Sequence, residues 1–312
     1  MVNFISDDLN ILGSSPEISR VRKAVKAAAK LHNHVLILGE VGSGRSFMAQ
    51  AIHNISQGED EEFVNIQCSA IGDTIDADEV FGESDGSGKS NGHLFKAGNG
   101  TIHLESIDRL SPDLQDRLYN FITTYTRRNG KNSKAISARI VASAEPALEE
   151  DARKRIFRFD LFQELGSFRI DVPPIRERRQ DILLIFTHFL ESFCKEFAKP
   201  VPTIPYAIFE EILEYDWPGN VEEIRNSVRN MVILSPDGEL SPEFLPFHVR
   251  KNPLESLAAS DLPTAVSQVE KFLIKRALAR FEGNQSRAAK ILQVSEAALR
   301  YKMKKYGLAS AR

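Results

Sequence analysis

The chain predicts a doubly wound parallel α/β sheet with a helical lid, followed by a small basic all-α module. Three observations predict it. Short apolar runs alternate with amphipathic stretches over roughly the first 170 residues. A glycine-rich turn separates the first apolar run from the helical pattern behind it. From Arg178 onward the strand patterns stop and only helical periodicity remains. At 312 residues the chain has room for two domains and a buried core. With 42% hydrophobic and 27% charged residues it is neither disordered nor collagen-like. No apolar run reaches the ~18–20 residues that cross a bilayer, so no membrane partner is expected. The start, Met1-Val2-Asn3-Phe4-Ile5-Ser6-Asp7-Asp8, has neither the basic residues nor the apolar core of a secretory signal, and the expected location is the cytoplasm.

The elements follow in order. Residues 34–39 read as a buried strand ending in glycine, and residues 45–55 as the helix after it. Residues 63–68, 100–105 and 138–143 read as three further strands, with a helix over 111–123. Residues 181–195 and 206–215 are amphipathic helices of a small lid, anchored by Trp217 ahead of Pro218-Gly219. Residues 250–263 hold two prolines and weak periodicity and read as a linker. A helix over 264–281 and two shorter ones split by Gln293-Val294-Ser295 complete the chain. The expected domains are therefore 1–175 (α/β), 176–249 (lid), 250–263 (linker) and 264–312. Cys68 and Cys194 cannot build a disulfide framework or a zinc site and read as small buried hydrophobes. The seven histidines show no ligand spacing, so no metal site is expected.

The net charge of −3 conceals an asymmetry. Residues 261–312 hold eleven Lys/Arg against four acids, a net of +7, which leaves −10 on the first 260. A basic module on an acidic body points to a polyanion partner, with a merely solvated basic helix left open on charge alone.

Gly39-Glu40-Val41-Gly42-Ser43-Gly44-Arg45-Ser46 fits the phosphate loop G-x-x-x-x-G-K-[ST] except at the lysine, which is Arg45. Glycines let backbone N–H groups wrap phosphate oxygens, and the helix N-terminus adds favourable partial charge. Gly39, Gly42, Gly44, Arg45 and Ser46 are the candidate nucleotide-binding residues. Lysine meets phosphates as a compact point charge, whereas arginine is longer, planar and forked. ATP or ADP is therefore expected to bind weakly, and fast hydrolysis is not expected. A nucleotide site of this kind wants Asp-Glu at the end of a second strand, to hold Mg²⁺ and polarise water. Here Glu105-Ser106 stand there. Glu105 can still meet a magnesium ion, Ser106 cannot act as a base, and a vestigial site is the favoured reading.

The chain resembles the bacterial enhancer-binding proteins, the AAA+ activators of sigma-54 RNA polymerase, over residues 9–312. The resemblance rests on Ile11-Leu12-Gly13-Ser14-Ser15-Pro16, the phosphate loop, Phe63-Val64-Asn65-Ile66-Gln67-Cys68-Ser69-Ala70-Ile71, Glu79-Val80-Phe81-Gly82 and Phe157-Arg158-Phe159-Asp160-Leu161-Phe162. The most specific segments are Pro173-Pro174-Ile175-Arg176-Glu177-Arg178-Arg179-Gln180-Asp181-Ile182 and Trp217-Pro218-Gly219-Asn220-Val221-Glu222-Glu223-Ile224. It implies an AAA+ P-loop domain with a helical lid. No receiver or other sensory domain is expected ahead of Ile11.

The departures from that family bear on catalysis. Its polymerase-contacting Gly-Ala-Phe-Thr-Gly-Ala loop is replaced by Glu83-Ser84-Asp85-Gly86-Ser87-Gly88-Lys89-Ser90-Asn91-Gly92. Its Thr-Asn or Thr-His sensor is Ala144-Glu145. Of the two arginines it offers to a neighbouring subunit, Arg158 is kept and the second is Glu164, while the lid arginine is Glu222. Acids at these positions repel a triphosphate instead of neutralising its developing charge. Glu105, Ser106, Arg158, Glu164 and Glu222 are thus the altered or retained catalytic positions, and an ATPase-deficient domain is expected.

Gly283-Asn284-Gln285-Ser286-Arg287-Ala288-Ala289-Lys290-Ile291-Leu292 resembles the first helix of a Fis-type helix-turn-helix. Ser295 caps the recognition helix, Leu299 and Met303 form its buried stripe, and Arg300, Lys302, Lys304 and Lys305 are expected to face double-stranded DNA. Asn284, Ser286, Arg287, Ser295 and Glu296 complete the candidate DNA-binding set, and the glutamate can accept from cytosine N4. The apolar stripe of residues 264–281 fits self-association as a dimer or larger oligomer, with packing inside its own module as the alternative. The leading expectation is a DNA-binding transcriptional regulator of this family whose AAA+ domain serves oligomerisation or protein contacts. The alternatives are an ATP-hydrolysing sigma-54 activator, with RNA polymerase as partner, and an anti-activator that co-assembles with an intact relative. A nucleoid-associated bacterial protein fits all three.

Overall fold

The computed structural model describes residues 9–57, 61–82, 92–126, 138–235, 239–250, 261–281 and 283–308. They fall into two compact units, Met1–Val249 and Arg250–Arg312. The glycine-rich segment 83–91 and residues 251–260 of the expected linker lie outside the described residues.

In the first unit, α1 (Pro16–Lys30) precedes β1 (Val35–Gly39), α2 (Arg45–Gln57), β2 (Phe63–Gln67), α3 (Ala77–Phe81), β3 (Thr101–Glu105) and α4 (Pro112–Phe121). Then come β4 (Arg139–Ala144), α5 (Leu148–Arg153), α6 (Phe159–Leu165) and β5 (Phe168–Val172). All strand pairs are parallel, in the order β2-β3-β4-β1-β5. β1 and β4 are buried along their whole length, which their apolar composition requires. Parallel register brings the carboxyl ends of β1 and β3 to one edge of the sheet, where open α/β sheets bind ligands.

Four of these strands match the sequence expectation, and β5 adds a fifth. It pairs Val35 with Phe168 through to Gly39 with Val172. Its inward residues are Ile170 and Val172, whereas Arg169 and Asp171 are exposed and pair with each other at 2.7 Å. That alternation suits an edge strand and lacks the continuous apolar run of its neighbours.

One face of β3 is polar although buried. His53 Nδ1 lies 3.0 Å from Thr101 Oγ1. His103 sits between Asn65 Oδ1 at 2.8 Å from Nδ1 and Ser143 Oγ at 3.2 Å from Nε2. Since an amide oxygen only accepts, this network assigns the proton to Nδ1, and Ser143 donates to Nε2. Burial, with a lesser repulsion from Arg45, pushes the His103 pKa down to about 4.

Further along the unit come the helices α7 (Ile182–Glu196), α8 (Tyr206–Glu214) and α9 (Asn220–Leu234). They close around fully buried Trp217, with Phe186, Ile208, Ile212, Ile224 and Met231. Its Nε1 donates to the Ile212 carbonyl at 2.8 Å, as the anchor role requires. Cys68 and Cys194 are both buried, and burial raises the Cys68 pKa to about 12, so both behave as apolar filler.

Asp181, at the root of α7, is completely buried and binds the segment just ahead of α1. Its carboxylate accepts from Ser14 N at 2.6 Å, Ser15 N at 2.9 Å and Ser15 Oγ at 2.6 Å. Ser15 in turn caps α1 by accepting from Ile18 N. These bonds fix residues 10–12 beside α7.

The second unit holds α10 (Leu262–Arg280), α11 (Gln285–Ile291) and α12 (Glu296–Lys305). Ile274, Ala277, Ala288, Ala289, Leu299 and Met303 form its core. The small alanines allow the close helix crossing expected from the sequence. Val266, Phe272 and Leu273 on α10 remain exposed.

His103 gives a prediction with a definite sign. The unfolded side chain takes a proton near pH 6.5, but the native one only near pH 4, so acid favours unfolding. The stability contribution present above pH 6.5 is expected to fall away by about 3 kcal/mol as the pH drops to 4. Urea-denaturation midpoints read against pH check this: the His103→Gln curve should lack that part of the slope.

Candidate functional site

Residues 39–46 connect β1 to α2, as a phosphate loop requires. Gly42 has φ 73°, and a Cβ added there would collide with the carbonyl of Gly219 in the lid. Gly44 has φ 103° and faces open space, with its nearest neighbour, Met48 Cε, 4.0 Å from where a Cβ would stand. The two glycines thus do different work: Gly42 admits the lid, and Gly44 leaves a cradle beside the loop.

The lid is bonded to the loop at several points. Asn220, buried at φ 55°, donates from Nδ2 to the Val41 carbonyl at 3.0 Å and to Glu40 at 3.2 Å. Its Oδ1 accepts from Ile175 N at 2.9 Å. Glu222 N donates to the Gly42 carbonyl at 3.2 Å. Arg176 grips Glu40 with two bonds of 2.7 and 2.6 Å, and the arginine holds the Glu40 carboxyl below its ordinary pKa. The two most family-specific segments of the sequence therefore converge on the phosphate loop.

Loop and lid enclose a cleft of about 800 Å³, a size suited to a nucleotide. Ile11, Leu12, Ile185, Phe189 and Val221 give its lining an apolar part, with His188 beside them in the lining. Residues 42–46, Glu105, Arg178, Glu222 and Arg225 also line it and bring the polar groups. The candidate residues Gly42, Gly44, Arg45 and Ser46 all line it, whereas Gly39 lies behind it under Ser43.

Most charged groups of the lining have partners within the protein. Arg45 is turned back into the loop, and its Nη1 donates to the Gly39 carbonyl at 2.8 Å. Ser46 Oγ donates to Glu105 Oε1 at 3.0 Å, so a magnesium ion, which favours a carboxylate plus ligand phosphates, would be held by this pair. Ser106 follows at φ 58° and has no carboxylate to offer. Glu222 is paired with Arg225, one turn along α9, at 3.0 Å. Arg178 is only 3% exposed, and burial lowers its pKa. Its Nη2 reaches the Ser43 carbonyl at 3.4 Å, while its Nε and the Ser43 Oγ have no partner among the described residues.

Three other positions lie away from the cleft. Glu145, at the sensor position, is held by Arg109 at 3.0 Å. Arg158 is bonded to Asp160 at 2.6 and 2.9 Å and to Asp116, and stacks 4.1 Å above Tyr119. Glu164 lies on α6, and its charge acts on His34. The structure does not bring Arg158 or Glu164 to the same chain's phosphate loop. Arg178, Arg225 and Asn220 were missed by reading the sequence. The i, i+3 spacing of Glu222 and Arg225 on a helix was the one local signal for the pair.

In the second unit, Asn284 caps α11 by accepting from Arg287 N, and Ser295 caps α12 by accepting from Ala298 N. Ser286 lies in the first turn of α11. Arg300, Lys304 and Lys305 are exposed, as is Tyr301 between them. Glu296 is paired with Arg300 at 3.4 Å. Lys302 departs from the expectation. It pairs with Glu270 of α10 at 2.6 Å, and Tyr306 also donates to Glu270 at 2.6 Å, so this lysine ties the module together instead of pointing outward.

A parallel sheet whose first strand feeds a glycine loop, capped by a helical lid, defines a P-loop nucleotide-binding domain of the AAA+ class, here joined to a helix-turn-helix module. The chain matches the Sigma-54 interaction domain over residues 11–171, the AAA+ ATPase lid domain over 176–262 and the Fis family of bacterial regulatory proteins over 265–306. It belongs to the sigma-54 interaction domain family. It is 32% identical to the nitrogen fixation protein AnfA of Azotobacter vinelandii, over 96% of this chain and 58% of AnfA. It is 31% identical to a signal-transduction and transcriptional-control protein of Clostridium beijerinckii, over 96% of this chain and 49% of the relative. The chain thus spans about half the length of these relatives. The crystal structure of NtrX from Brucella abortus in complex with ADP matches with a TM-score of 0.68 at 25% identity, over 97% of this chain and 70% of NtrX. Among the described residues, no helix is long and apolar enough to cross a membrane.

Proposed function

We propose that this protein is a DNA-binding transcriptional regulator whose AAA+ domain, residues 1–175 with the lid 176–249, holds nucleotide without turning it over usefully. The observation that carries this is the Arg45–Gly39 bond: the only cation inside the loop motif is spent on the loop's own carbonyl. Around it, acids occupy the lid and sensor positions, and the retained Arg158 is already neutralised by Asp160 and Asp116. Phosphoryl transfer depends almost wholly on positioned cations and a positioned water, and losing one arginine finger alone costs ~10³–10⁵ in rate. The domain then serves self-assembly or contacts with RNA polymerase or a related activator, and residues 264–312 bind double-stranded DNA behind the linker 250–263. The NtrX complex with ADP supports nucleotide as the cleft's ligand. The Ser46–Glu105 pair favours the competing reading, an ATP-hydrolysing activator, since it keeps a place for magnesium.

Steady-state phosphate release in the presence of duplex DNA separates the two. The expected rate lies far below ~1 s⁻¹, the low end of ordinary enzymes, and a rate at or above that value supports the active enzyme.

The recognition helix makes a second prediction. Lys304→Ala is expected to weaken binding to all duplexes alike and to lower the salt slope of log affinity by about one. Lys302→Ala should leave that slope nearly unchanged while lowering the melting temperature of the module. Fluorescence anisotropy across a salt series, alongside thermal melts, reads both.

A further inference from the structure

We propose that the cleft selects a nucleoside diphosphate over a triphosphate, with Arg225 as the cation that meets its phosphates and Glu222 as the group that excludes a third. This rests on the nucleotide reading above and names the ligand within it. Glu222 cannot retreat from the loop, because its backbone N–H is bonded to the Gly42 carbonyl and its Cβ stands 3.2 Å from where a Gly42 Cβ would be. Its Cβ is therefore held at the phosphate loop, and its carboxylate, about half exposed and 3.0 Å from Arg225, belongs to the lining of the cleft. Arg225 lines the same cleft one turn along α9, about half exposed and already oriented by Glu222 at 3.0 Å. An exposed i, i+3 pair is weak, so an arriving phosphate can take the guanidinium as a forked partner.

A second observation points to an anion in this cleft. Arg178 Nε and Ser43 Oγ are both buried, both belong to residues lining the cleft, and both lack a partner among the described residues. Buried donors of this kind are satisfied in nearly all native proteins, and a phosphate seated in the loop would offer them acceptors once its binding opens a path to both atoms. Against these donors stand Glu222 and Glu105, and Arg45 is withheld by Gly39. Two phosphates meet the donors of the loop, Arg225 and Arg178. A third would extend the ligand's negative charge toward the Glu222 carboxylate with no added cation.

The experiment is equilibrium titration of the full chain with fluorescent mant-ADP and mant-ATP, each with magnesium, for the parent, Arg225→Ala and Glu222→Gln. The parent should bind mant-ADP at least tenfold more tightly than mant-ATP. Arg225→Ala should lose about tenfold for mant-ADP. Glu222→Gln should gain about tenfold for mant-ATP while mant-ADP changes less than threefold, which closes the gap. Circular dichroism melts establish that both variants fold, as surface substitutions should. Equal parent affinities, or a Glu222→Gln effect equal on both nucleotides, overturn the selectivity. Undiminished mant-ADP binding by Arg225→Ala overturns the role of that residue. If the parent binds neither nucleotide at millimolar concentration, the nucleotide reading itself fails together with the inference.

Discussion

One buried side-chain amide holds the cleft together. Asn220 accepts from the backbone at Ile175, where β5 leads into the lid, and donates to the Val41 carbonyl inside the phosphate loop. An unsatisfied buried polar group costs ~1–3 kcal/mol, so these partners are hard to separate. Asn220 also sits at φ 55°, a conformation asparagine tolerates better than most residues, and it is the first residue of α9. The position of every later residue on that helix relative to the loop follows from it. Glu222 and Arg225 line the cleft because Asn220 is fixed where it is. Gly42 is glycine because the lid backbone that Asn220 brings in leaves no room for a Cβ.

The electrostatics of the cleft then follow from what the scaffold presents. The fold keeps the parts that recognise a nucleotide's shape: a glycine loop, an apolar slot between Leu12 and Phe189, and a serine–carboxylate pair. Three of its arginines, however, are taken up by the protein's own groups. Arg45 serves the loop, Arg176 serves Glu40, and Arg158 serves Asp160 and Asp116. Three arginines that could have worked on a ligand instead support the structure. In the function proposed above, such a domain reads nucleotide as a signal or uses its surfaces for assembly, and the basic C-terminal module binds DNA.

Much of this was legible in the sequence, for local reasons. A strand, a glycine loop and a helix are contiguous, so the phosphate loop and the sheet edge it marks could be read directly. The caps Asn284 and Ser295 each act on an amide three residues on, and the buried pair Leu299 and Met303 is one turn apart. What escaped was set by distant partners or by charge. Strand β5 interleaves Arg169 and Asp171 with its apolar residues and does not look buried. Asp181 meets Ser15 across 166 residues. Lys302 looks like a DNA contact until Glu270, on another helix, claims it. The polar ladder around His103 needs three strands in register before Asn65 and Ser143 can flank the ring.

The coupling of lid to loop through Asn220 is tested most directly by amide hydrogen exchange on Asn220→Ala. The account predicts that protection falls together, by at least tenfold, at Ser43 in the loop and at Glu222 in the lid. Exchange that quickens along α9 alone, with Ser43 as protected as in the parent, would contradict it.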